Sequence, residues 1–136
     1  MSTILPLHDL ANAIAARGAG AYILTVSEAG APHVVHAEVF KDGDHLVAVV
    51  GSHTADNARR QPRVSLLYAP AQPGDYSLIV DAVATVEATT DGPRLSLAPT
   101  RGVLHRWGPA PDPSTSTCGS DCRPLPLGAL GRGRSA

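Results

Sequence analysis

The residues best equipped for chemistry lie in one short stretch, Gly51-Ser52-His53-Thr54-Ala55-Asp56-Asn57-Ala58-Arg59-Arg60-Gln61-Pro62-Arg63. A β-rich run ends at its start, and its composition then turns helical, with Ser52 or Thr54 as the expected N-cap. The first backbone N–H groups of a helix have no acceptor within the helix, so a helix start attracts anions. Hydroxyls at Ser52 and Thr54, with the imidazole of His53 between them, add donors suited to a phosphate. Arg59 and Arg60 fall near the other end of the same helix, able to close over a ligand or to face water. The simpler alternative is that Thr54 caps a connecting helix and does nothing more.

Other chemistry-bearing residues are scattered. Of the six histidines, His8, His33 and His45 read as surface or strand-end residues. His36 alternates with Val35 and Ala37 and reads as a half-buried structural histidine. His105 falls where a subunit interface is conceivable. Asp81, in the middle of a long strand, reads as a partnered polar residue rather than a general base. No serine carries a nucleophile-elbow signature, so hydrolysis has no support. Cys118 and Cys122 are the only cysteines. A structural zinc site usually wants four ligands in two close pairs, and no second pair exists, so no metal site is expected.

The elements that must position these groups are mostly strands. Leu7, Leu10, Ala11 and Ile14 recur at helical spacing, with Pro6 suited to the first turn and Gly18 to the end. From Ala21 the period changes to two, and Tyr22, Leu24 and Val26 share one strand face. Residues 34–40 and 45–50 flank Lys41-Asp42-Gly43-Asp44, a hairpin signal because glycine accepts the positive φ of a tight turn. Val64, Leu66 and Tyr68 line one side of the next strand. The longest strand spans residues 76–88, with Leu78, Val80, Ala82, Ala84 and Val86 all apolar on its even positions. Asp91-Gly92-Pro93 turns the chain, and residues 95–97 and 103–107 supply one or two strands more. Six or seven short strands with close turns predict a mainly β, antiparallel barrel. A doubly wound α/β fold is excluded, because only residues 52–61 leave room for a connecting helix.

At 136 residues the chain has the size of one domain. A formal net charge of −1 gives no global field for nucleic acid or an anionic membrane. No apolar run reaches the ~20 residues of a membrane helix. The N-terminus lacks the basic start and apolar stretch of a signal peptide, so a cytoplasmic location is expected. After Trp107 the composition changes: residues 108–136 hold prolines at 109, 111, 113, 124 and 126 and glycines at 108, 119, 128, 131 and 133. The expected organisation is therefore a domain over residues 1–107 and a Pro/Gly-rich tail over residues 108–136.

Residues 21–87 resemble the flavin-binding split barrels of the pyridoxamine 5'-phosphate oxidase superfamily. The shared features come in a fixed order: Gly30-Ala31-Pro32 opening a strand, the Asp42-Gly43-Asp44 hairpin, and a helix starting within residues 52–57. Residues 57–64 (Asn-Ala-Arg-Arg-Gln-Pro-Arg-Val) are similar to the family's Asn-Leu-x-x-Asp/Asn-Pro-Arg-Val segment, and residues 76–84 to its long strand. The resemblance implies a six-stranded split barrel and a homodimer with its cofactor at the subunit interface. That cofactor would be FMN or, in some branches, the deazaflavin coenzyme, while another branch binds haem through histidines. Ser52, His53, Thr54, Asn57 and Arg60 would serve the phosphate end, and Val35 and His36 would flank the ribityl chain or phosphate. Tyr68 or Trp107 would stack near the ring, core packing being the other use for Tyr68. The implied activity is an FMN-dependent oxidoreductase acting on a small molecule. The alternatives are a non-catalytic binding protein for haem, flavin or deazaflavin, and a barrel with no cofactor.

This chain also departs from the family pattern. Many flavin-binding members carry Lys where Thr54 stands and often Arg where His53 stands. Losing two charge-assisted bonds to a phosphate is an expected loss of about 3 kcal/mol, or roughly a hundredfold in affinity.

Overall fold

The computed structural model describes residues 2–106, so Trp107, Cys118, Cys122 and the expected tail lie outside the described residues. The elements in chain order are β1 (Ser2–Leu5), α1 (Leu7–Ala15), β2 (Gly20–Val26), β3 (Pro32–Glu38), β4 (Phe40–Asp42), β5 (His45–Val49), α2 (Ser52–Arg60), β6 (Arg63–Tyr68), β7 (Ser77–Thr89) and β8 (Gly92–His105). The strands form one antiparallel sheet in the order β3-β2-β6-β7-β8-β5-β4, with β1 added to β8 beyond the bulge of that strand. β3 and β4 end the sheet without pairing to each other, so the barrel is split rather than closed. This is the expected fold class.

Alternation explains why the sheet curls around one core. On β7, Leu78, Val80, Ala82 and Ala84 are buried; on β6, Val64, Leu66 and Tyr68 are buried; on β8, Leu95 and Leu97 are fully enclosed. β2 turns Ala21, Ile23 and Thr25 inward, which leaves Tyr22, Leu24 and Val26 on the outer face. The long β7–β8 hairpin carries a register shift between Asp81 and Ala82. There the Thr100 hydroxyl donates to the Asp81 carbonyl at 3.2 Å. Such a bulge bends a long ribbon and increases its twist, which a barrel needs.

Three details differ from the sequence expectation. The structure has eight strands, because β1 is added and the expected strand over residues 34–40 is interrupted at Val39. That residue turns inward, is buried, and donates its N–H to the Ala19 carbonyl at 2.8 Å. Residues 95–97 and 103–105 belong to one strand, β8, rather than two. Pro6 occupies the N-cap of α1 rather than its first turn, with an extended ψ of 144°. The Asp-Gly hairpin is as expected: Asp42 pairs with His45, and Gly43 takes φ 60°.

Both helices pack by small contacts. Leu10 of α1 is buried over β8, where Gly102 makes room; a Cβ on that glycine would stand 2.8 Å from Leu10 Cδ1. α2 buries Thr54, Ala55, Asn57 and Ala58. The alanines let the helix settle closely against the barrel, so that its N-terminus meets the end of β5.

Candidate functional site

The site is set by how α2 begins. Gly51 is the N-cap, with extended φ −78° and ψ 170°, and its carbonyl accepts from the Ala55 N–H at 3.0 Å. Ser52 is thus the first helical residue, and no side chain among the described residues caps the helix. The expected cap at Ser52 or Thr54 is corrected here: both residues lie inside the first turn, where a hydroxyl no longer reaches back to the free amides. The N–H groups of Ser52, His53 and Thr54 consequently have no helical acceptor.

These residues line a cavity of about 480 Å³ together with His33, Val35, His36 and Ala37 of β3, Val49 of β5, and Val50 and Gly51 beyond it. The cavity lies in the split, between the free edge of β3 and the β5–α2 junction. No Asp, Glu, Lys or Arg is among its described lining residues. Nor does the first turn of α2 carry an acidic residue. Free amides, the Ser52 hydroxyl and the imidazoles of His33 and His53, with no carboxylate among the described lining residues to repel an anion, form a donor set that fits a phosphate group.

Five of the expected site residues therefore meet at one cavity: Val35, His36, Ser52, His53 and Thr54. Asn57 and Arg60 do not line it. The buried Asn57 amide donates to the Thr25 hydroxyl at 3.1 Å, and its Oδ1 accepts from Arg60 Nη2 at 3.0 Å. Arg60 also lies 3.8 Å from Glu28. These contacts fix α2 against β2, so the two residues position the helix start. Arg59 forms an exposed pair with Asp56 at 2.9 Å.

His36 differs from the half-buried histidine expected. It is exposed, because β3 turns His33, Val35 and Ala37 toward the interior. Its ring packs edge-on against Tyr22, with centroids 4.9 Å apart. Tyr68 is wholly buried, and burial pushes its phenol up to about 12. It belongs to the core and lines neither of the two cavities described. Asp81 is partnered as expected, accepting from the Ser65 hydroxyl at 2.9 Å and lying 3.7 Å from Arg101.

The residue that sequence reading undervalued is His33. It stands two positions before Val35, hence on the same strand face, and its ring centroid lies 6.2 Å from that of His53 at an interplanar angle of 78°. That shared parity with Val35 was the available signal. A second, larger cavity of about 760 Å³ lies between α1 and the β4–β5 hairpin, walled by Leu10, Ile14, Val39, Phe40 and Leu46. Among the described residues, no three His, Cys, Asp or Glu side chains form a metal-binding group. No described helix is long and apolar enough to cross a membrane.

No protein-family model matches the chain. Two uncharacterized proteins, from Mycobacterium bovis and Mycobacterium tuberculosis, are each 34% identical to it over 119 residues, covering 75% of this chain and 82% of the relative. Solved structures share its fold at lower identity. A pyridoxamine 5'-phosphate oxidase-like protein of Listeria innocua superposes with a TM-score of 0.61 at 18% identity, over 73% of this chain and 98% of its own. An F420 reductase gives 0.56 at 17%, over 67% and 94% of the two chains. The haem storage protein HutZ of Vibrio cholerae gives 0.56 at 16%, over 75% and 97%. The chain belongs to one family with the mycobacterial proteins, and its fold is that of the pyridoxamine 5'-phosphate oxidase-like split barrels.

Proposed function

We propose that the protein is a homodimeric, FMN-dependent oxidoreductase acting on a small molecule, with the cofactor's phosphate seated at the start of α2. The observation that carries this reading is the convergence of Val35, His36, Ser52, His53 and Thr54 on one cavity with no carboxylate among its described lining residues. Its volume of about 480 Å³ falls within the usual range for small-molecule sites. The flavin, when bound, supplies hydride or electron transfer at its ring. The chain supplies donors at Ser52, His53 and Thr54 for the phosphate and an apolar wall at Val35 and Val49 for the ribityl chain.

The outer face of the sheet supports the proposed dimer. Tyr22, Val26, Val34 and Val83 are 43%, 38%, 52% and 43% exposed. Register places Val34 opposite Leu24, and Tyr22 opposite Leu67, which is itself opposite Ile79, so apolar residues recur on this face from β3 to β7, while Val83 stands opposite Arg63. A second copy of the chain would bury this face.

A second reading has its own support. Three histidines line the cavity where Lys or Arg would serve a phosphate best, and neutral imidazole is the usual protein ligand of haem iron. On this reading the protein is a non-catalytic haem-binding barrel, which the haem storage neighbour supports, and the F420 reductase neighbour supports adding the deazaflavin coenzyme to the candidates. An absorbance spectrum of the purified protein, alone and after titration with FMN, F420 and haemin, separates them. Flavin bands support the proposal, a deazaflavin band or a Soret band moves the assignment, and a protein that ignores all three ends it.

A further inference from the structure

We propose that His33 and His53 form a facing pair that grips the anionic group of the ligand, so that the site binds tightly only when the pair is charged. This rests on the reading of the cavity as the seat of a flavin phosphate and specifies how that phosphate is held.

The pair bridges the split of the barrel. His33 belongs to the free edge strand β3 and His53 to the first turn of α2, two residues 20 positions apart in sequence whose rings are brought to a separation of 6.2 Å. Both rings line the same cavity of about 480 Å³. Two protonated imidazoles 6.2 Å apart repel each other, and an anion in the cavity that borders both offsets that repulsion with charge-assisted hydrogen bonds to their ring-edge N–H groups.

The other charged groups around the pair are engaged elsewhere. On α2, Asp56 pairs with Arg59, and Arg60 pairs with Glu28 from the β2–β3 turn. On β3, His36 packs on Tyr22, and Glu38 lies opposite Gly20 at the far end of the strand. On β5, the lining is Val49, and the titratable His45 stands at the opposite end; Arg94 of β8, opposite Val49, pairs with Glu87 of β7. Cationic charge within the described lining is therefore carried by histidine alone, the side chain that ordinarily changes charge between pH 5 and 8. A Lys or Arg site would hold phosphate equally across that range, whereas this one would release it as pH rises.

The test is a fluorescence titration of the full chain with FMN and with riboflavin, which lacks the phosphate, at pH 5.5, 6.5, 7.5 and 8.5. The wild-type chain should lose about tenfold or more in FMN affinity from pH 5.5 to 8.5, with riboflavin unchanged. FMN's own phosphate gains charge over this range, which by itself would push affinity the other way. The His33→Gln/His53→Gln chain should show no such loss, and His53→Arg should hold FMN tightly at pH 8.5. An FMN affinity that is flat or rises with pH in the wild type overturns the inference and leaves the phosphate site standing. FMN bound no better than riboflavin at every pH overturns the site reading itself, and the inference with it.

Discussion

The side-chain amide of Asn57 donates to the hydroxyl of Thr25 across 3.1 Å, inside the protein and 32 positions away in sequence. The bond fastens the middle of α2 to β2, and through Arg60 it also reaches Glu28 in the β2–β3 turn. The start of the helix inherits its place beside the cavity from this anchor.

Asn57→Ala should cost about 1–3 kcal/mol of stability, because it leaves the buried Thr25 hydroxyl without its donor. Adding Thr25→Val removes that orphaned group, so the double variant should be less destabilised than the sum of the two single changes. Urea denaturation of the four proteins measures the coupling. Strict additivity would show that the bond does not hold α2.

Tyr68 is the opposite case: its buried hydroxyl has no hydrogen-bond partner among the described residues. Tyr68→Phe should be neutral or stabilising by up to about 1–2 kcal/mol, since it removes an unsatisfied polar group. The phenol, pushed by burial up to about 12 from an ordinary 10.0, also makes a prediction at alkaline pH. Between those values the unfolded chain releases a proton that the folded chain keeps. The associated stability is complete below pH 10 and is lost as pH rises toward 12, by roughly 2–3 kcal/mol in all. Denaturation midpoints across that window should fall more steeply for the wild type than for Tyr68→Phe.

Val34→Lys tests the proposed subunit contact. Val34 is 52% exposed on the outer face and contributes nothing to the core cluster, so the fold should persist. A dimeric wild type and a monomeric variant in analytical ultracentrifugation would support the contact; a monomeric wild type would remove it.

The parts of the fold legible in sequence were those fixed by local rules. Gly43 in an Asp-Gly turn and the even-numbered apolar run of β7 each had one physical solution. The strand-to-helix switch at Gly51 was equally clear, which located the candidate site. What sequence did not disclose depends on distant partners. β1 is four residues that pair, among the described residues, with β8 alone, about a hundred positions later. Asn57 looked like a ligand because its partner, Thr25, carries no local signal. His33 looked peripheral because the cavity exists only once the edge of β3 comes to face the start of α2.

The most direct test of the central claim is the ratio of riboflavin to FMN dissociation constants in the wild type and in Ser52→Asp, both at pH 6. Ser52 is exposed in the first turn of α2, so the added carboxylate faces the cavity without disturbing the core. The predicted result is FMN held at least about tenfold more tightly than riboflavin in the wild type, with that advantage abolished by the aspartate. An FMN advantage that survives Ser52→Asp unchanged would place the phosphate away from α2 and contradict the account.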